Sequence, residues 1–122
     1  MKVLTTTVAR ILFAVPFGMF GIMHFVFGSD MAGMVPSFIP GGVFWVYLVG
    51  VALLAACISI LIGKWTQKAC LLLALLLMIF VLTIHLPGAL DEATRQMAMS
   101  SMLKDLGLAG GALILAGISE DT

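Results

Sequence analysis

Long apolar runs and short polar breaks succeed one another along the chain, and the runs come close to one length. About 20 predominantly apolar residues cross the hydrocarbon core of a bilayer. On that measure the pattern predicts four helical spans, at approximately 7–27, 43–62, 69–86 and 100–118. The fold class expected is all-α, a four-helix transmembrane bundle, with residues 1–122 forming a single integral-membrane domain. A signal peptide is the rival reading of the first run. Its apolar part exceeds the usual 7–15 residues and is interrupted by Arg10, which favours a membrane helix.

The breaks have distinct characters. Gly28 to Gly42 (GSDMAGMVPSFIPGG) reads as an apolar loop, because Pro36 and Pro40 lack backbone donors. Gly63 to Lys68 (GKWTQK) reads as a tight basic turn with Trp65 as an interfacial anchor. Pro87 and Gly88 predict that the third helix stops just after His85. Asp91, Glu92 and Arg95 read as the opening of a helix that continues into the fourth span. Its purely apolar part, Leu106 to Ile118, is too short to cross alone, so the span takes in Lys104 and Asp105 near one end.

Helical spacing gives these spans faces. Arg10 and His24 fall about 40° apart around the first helix and ~21 Å apart along it, with Phe17 and Gly21 on the same face. Tyr47, Gly50, Leu54 and Cys57 share a face of the second, whose start carries the aromatic set Phe44, Trp45 and Tyr47. Gly107 and Gly111 form a GxxxG step in the fourth, which predicts a close helix approach within the bundle or across a homodimer.

Composition then names the solvent. The 122 residues are 62% hydrophobic and only 10% charged, and mean hydropathy is +1.22. A soluble domain keeps about a quarter of its residues charged, so the lipid bilayer is the medium. Zero net charge offers nothing to a nucleic acid. Cys57 and Cys70 fit neither a redox CxxC pair nor a zinc site and read as buried free thiols. Lys2, Arg10, Lys64 and Lys68 fall at one end of the bundle, against Arg95 and Lys104 at the other. The positive-inside rule then puts both termini and the middle turn in the cytoplasm.

In this scheme His24, His85, Lys104 and Asp105 reach the same outer depth from three helices, while Arg10 belongs to the inner half. An ionisable side chain within a span is a functional hypothesis by default. Each also has a plainer reading: the histidines at headgroup level, Lys104 and Arg10 snorkelling, Asp105 paired with water or a neighbouring lysine. Two histidines at one depth could ligate haem iron, but no CxxCH is present. Met23, Met31, Met34, Met97, Met99 and Met102 around them would suit copper(I), though methionine at such spacings is more often core filler.

Several stretches carry a resemblance in chain order. They are Arg10 … Phe17-Gly18 … Gly21 … His24-Phe25, Met34-Val35-Pro36 with Phe38-Ile39-Pro40, and Tyr47-Leu48-Val49-Gly50. Ile84-His85-Leu86-Pro87 and Leu103-Lys104-Asp105-Leu106 … Gly110-Gly111 continue the series. Together they resemble the DoxX family of small four-helix bacterial membrane proteins. The resemblance implies a bacterial inner-membrane protein of four helices. Some relatives are subunits of a thiosulfate:quinone oxidoreductase, others associate with thiol-stress enzymes, and most have no assigned activity, so a link to a respiratory or redox system is the expectation. Its polar positions fall on Arg10, His24, His85 and Lys104. Many relatives carry an acidic residue in the second span where this chain has Leu53 and Leu54, which speaks against a proton-coupled role needing that carboxylate. The function expected is a small subunit or accessory binding a quinone-like molecule near the outer leaflet, with Arg10, His24, His85, Lys104 and Asp105 as ligand-binding candidates. The alternatives are a non-enzymatic scaffold or assembly subunit, or a Met/His copper-binding protein. No electron carrier can be named in the chain, so the sequence assigns it no catalytic residue.

Overall fold

The computed structural model describes residues 1–119. Four long helices carry the fold: α1 (Leu4–Val26), α2 (Val43–Ile62), α3 (Thr66–Leu90) and α4 (Arg95–Ile118). Among the described residues there is no strand. Each helix is long and apolar enough to cross a membrane, and at most 33% of any span's most apolar stretch is buried inside the protein. The remaining apolar surface faces outward, as it does only where lipid replaces water. The protein is a multi-pass membrane protein built as a four-helix bundle.

Two antiparallel pairs, α1 with α2 and α3 with α4, pack most closely. The first pair crosses on glycine. A Cβ placed on Gly21 would fall 3.0 Å from the Gly50 carbonyl oxygen, and one on Gly50 would fall 3.1 Å from that of Gly21. In lipid no hydrophobic force drives helices together, so such close backbone contact supplies the attraction. The second pair closes on a stripe of α4, where Ala109, Ala112 and Ala116 are buried against a core that includes Leu73 and Leu77. The expected GxxxG step works only in part. A Cβ on Gly111 would meet the Phe13 ring at 3.3 Å, whereas one on Gly107 would meet nothing within 4 Å. Gly107 sits off the alanine stripe by register, on the outer side of α4.

Polar side chains secure the helix ends. At the end that carries the α2–α3 turn, Gly63 takes the left-handed conformation (φ 74°) that closes α2, its N–H bonding the Ser59 carbonyl. Arg10 donates from Nη1 to the Ile60 carbonyl (3.1 Å) and Gln67 donates to the Ala116 carbonyl (3.0 Å). Both acceptors lie in the last turn of a helix, where carbonyls are left without regular helical bonds; that of Ala116 also accepts the Ser119 N–H (3.4 Å). Cys57 and Cys70 are buried and unbridged.

At the opposite end, the Gly28–Gly42 stretch read as a loop opens with a helical turn at Gly28–Met31 and a 3-10 turn at Ala32–Met34, and the α3–α4 connection differs from the sequence reading in two places. The third helix does not stop after His85. Val81–His85 forms a π-helical turn, with the Leu86 N–H bonded to the Val81 carbonyl, and Pro87 opens a last helical segment to Leu90. At the start of that segment proline's missing donor is not needed. The last helix begins at Arg95, not at Asp91, because the Asp91 carboxylate accepts the Ala93 N–H (3.1 Å) and makes a turn instead. Thr94 and Arg95 then donate to the Gly88 and Ala89 carbonyls, tying α4 back onto α3. Beside the longer loop, Tyr47 of α2 packs over Gly28 and stacks on Phe25 of α1 with ring centroids 5.7 Å apart, while Trp45 of α2 donates to the Pro40 carbonyl.

Candidate functional site

The buried stripe of α4 continues past its alanines to Asp105, at the same helical spacing of three and four residues (105, 109, 112, 116). Asp105 is only 5% exposed. A carboxylate buried in a membrane helix is costly unless it is paired and hydrogen-bonded, and its partner comes from the facing helix. The π-helical turn of α3 ends at His85, which meets Asp105 across the seam with Nε2 2.8 Å from Oδ2. An ionised carboxylate only accepts, so Nε2 carries the proton and donates. In its neutral form the ring then presents Nδ1 as an acceptor. No protein group among the described residues is bonded to that nitrogen.

Lys104 stands beside the pair. Its Nζ is 3.8 Å from Asp105 Oδ1 and 5.1 Å from the centre of the Phe20 ring of α1. Adjacent residues on a helix point about 100° apart, a geometry that favours a polar partner for Lys104 from the first or third helix over Asp105. The long lysine stem instead lets the ammonium reach back to its own neighbour, and α1 supplies an aromatic face. About half of the Lys104 side chain remains exposed.

His24 reaches the same neighbourhood through Phe20. Its Nδ1 donates to the Phe20 carbonyl one turn back (2.6 Å), and in the neutral ring Nε2 is then an acceptor. The His24 Cβ lies against Gly50, where an added Cβ would meet it at 3.0 Å. The structure thus unites His85, Asp105 and Lys104 directly and brings His24 and Lys104 to two sides of one residue, Phe20. Arg10 lies at the other end of the bundle, engaged with the end of α2, and is not part of this group. Asp105, the least prominent candidate in the sequence, is its centre. Its signal was available, since it extends the alanine stripe in register.

The His85–Asp105–Lys104 group therefore offers an imidazole oriented by a buried carboxylate and one ammonium donor, with His24 bonded nearby to the Phe20 carbonyl. Among the described residues no cluster of three or more His, Cys, Asp or Glu side chains is arranged to hold a metal ion.

Comparison with known families gives one match. A family profile described as a domain of unknown function (DUF8561) covers residues 13–114, from α1 through most of α4. The chain belongs to the DUF8561 family. The matched range includes His24, His85, Lys104 and Asp105 but not Arg10. No curated protein and no solved structure matches the chain.

Proposed function

We propose that this DUF8561 protein is a small subunit or accessory of a membrane redox system, and that it binds a quinone-like molecule at the His85–Asp105–Lys104 group. The observation that carries the reading is the fixed orientation of His85. With Nε2 held by a buried carboxylate, Nδ1 is set to accept a hydrogen bond from a ligand hydroxyl. Asp105 would stabilise the imidazolium formed if that proton transferred. Lys104 would donate to a ligand carbonyl, and the Phe20 ring would offer an apolar face. The DoxX-like pattern of residues supports the same reading. The excess of Lys and Arg at the α2–α3 turn end supports a bacterial inner-membrane orientation with both termini cytoplasmic and this site near the outer leaflet. Electron transfer would fall to a partner redox subunit.

A second reading, a non-enzymatic scaffold or assembly subunit, is favoured by the work that Arg10 and Gln67 do in holding helix ends. One experiment separates the two. Protein purified in mild detergent is extracted with organic solvent and assayed for quinone, beside His85→Ala and Asp105→Asn. Quinone in the native protein that falls at least tenfold in both variants supports the binding reading. Equal quinone content in all three proteins, or none in any, leaves the scaffold.

A further inference from the structure

The bundle has an open seam. Between α2 and α3, which pack less closely than the other sequential pairs, lies a groove of about 470 Å³. Ala52 and Ala55 keep the α2 side low, and Leu72 and Ile79 form part of the α3 wall. Trp65 and Lys68 line its turn end. Lys68 to Ile79 spans about 16 Å at the helical rise per residue, and half of a typical ~30 Å hydrocarbon core is ~15 Å. The groove is therefore as deep as one leaflet. It is apolar along its length, with an indole and an ammonium where headgroups would lie.

We infer that this groove holds one acyl chain of an anionic phospholipid of the turn-side leaflet. The chain would lie on Ala52 and Ala55 and the phosphate would meet Lys68 and the Trp65 indole N–H. Charge complementarity selects this occupant over a neutral lipid. Lys64, exposed on the same turn, adds a second cation. Lys68 has a partner within the chain, but an ammonium carries three donors and can serve a phosphate as well. A membrane-interface tryptophan supplies the remaining donor. The alanines matter because larger residues there would fill the space that the chain occupies. This site is at the opposite end from the His85–Asp105 pair and on a different seam, so it stands independently of the quinone reading.

The test is native mass spectrometry of the intact protein in mild detergent, titrated with phosphatidylglycerol or phosphatidylcholine of identical acyl chains. The expected result is a one-to-one phosphatidylglycerol adduct, at least fivefold more abundant than the phosphatidylcholine adduct. Ala55→Leu should reduce it about tenfold, whereas Ile114→Leu, on the exposed side of α4, should leave it unchanged. Both Ala52 and Ala55 are exposed to the groove, so Ala52→Leu provides a second filling variant should Ala55→Leu not fold. Lys64→Gln combined with Lys68→Gln should abolish the preference between the two lipids. Equal retention of both lipids by the native protein would overturn the inference, as would phosphatidylglycerol binding unaffected by the filling variants. A protein dimer that dissociates on groove filling would also overturn it, by showing that a second copy occupies the seam.

Discussion

His85 and Asp105 meet across the α3–α4 seam with 2.8 Å between Nε2 and Oδ2. Twenty residues of sequence and a helix reversal separate them. Each is needed for the other to be tolerable there. The carboxylate is almost wholly buried within a membrane helix, and the imidazole supplies the donor that satisfies it.

That interdependence predicts strong coupling. His85→Ala leaves a buried carboxylate without its donor and should cost about 3–5 kcal/mol of stability. In a double-mutant cycle with Asp105→Ala, the double variant should lose less than the sum of the single losses, with coupling of about 0.5–3 kcal/mol. Arg10, at the far end, should show no coupling to either. Unfolding in detergent, followed by circular dichroism, measures all three. Additive losses at positions 85 and 105 would refute the pairing.

The glycines should separate into two groups. Gly50→Ala puts a methyl within 3.1 Å of the His24 Cβ, the Phe25 ring and the Gly21 carbonyl, and overpacking of this kind costs about 1–3 kcal/mol. Gly107→Ala meets nothing within 4 Å and should be neutral or slightly stabilising through helix propensity. The same melting experiment compares them. A Gly107→Ala variant that loses stability or changes oligomeric state would show that this face of α4 is covered by another helix.

Arg10 should prove structural rather than ligand-binding. Arg10→Met removes a charged donor from the Ile60 carbonyl, a hydrogen bond of the kind worth about 1.5–3 kcal/mol. It should lower thermal stability without altering ligand content in the quinone extraction. If ligand is lost while the melting temperature holds, Arg10 belongs to a binding site after all.

Orientation is open to direct test. Reporter fusions after Lys68 and after Thr122 should both give cytoplasmic signals, and a fusion after Ser37 should give a periplasmic one. A periplasmic signal from either of the first two would reverse the proposed placement of the His85–Asp105 pair in the outer leaflet.

Much of this architecture is local, and for that reason the chain alone determines it. In hydrocarbon a segment must satisfy its own backbone hydrogen bonds, so each run of apolar residues has to be a helix whatever its neighbours do. The number of spans and their faces follow, including the shared face of Phe17, Gly21 and His24 and that of Gly50 and Cys57. Helix ends were less legible, because they depend on competition. Pro87 signals a stop, yet the π-helical turn before it lets α3 run on to Leu90. Asp91 and Glu92 resemble a helix start, yet the carboxylate of Asp91 prefers its own turn.

What only the tertiary structure decided is which faces meet. The GxxxG step in α4 is the clearer packing signal in the sequence, yet the fold makes its closest backbone crossing at Gly21 of α1 and Gly50 of α2. Likewise Lys104 and Asp105 are neighbours in the chain with similar claims to a site. Packing of the alanine stripe turns Asp105 inward to His85 and leaves Lys104 at the rim, over Phe20. Charge and spacing bring an ionisable group to a depth in the membrane. Its partner is chosen by the seam on which its helix packs, and that choice depends on contacts between helices that no single segment contains.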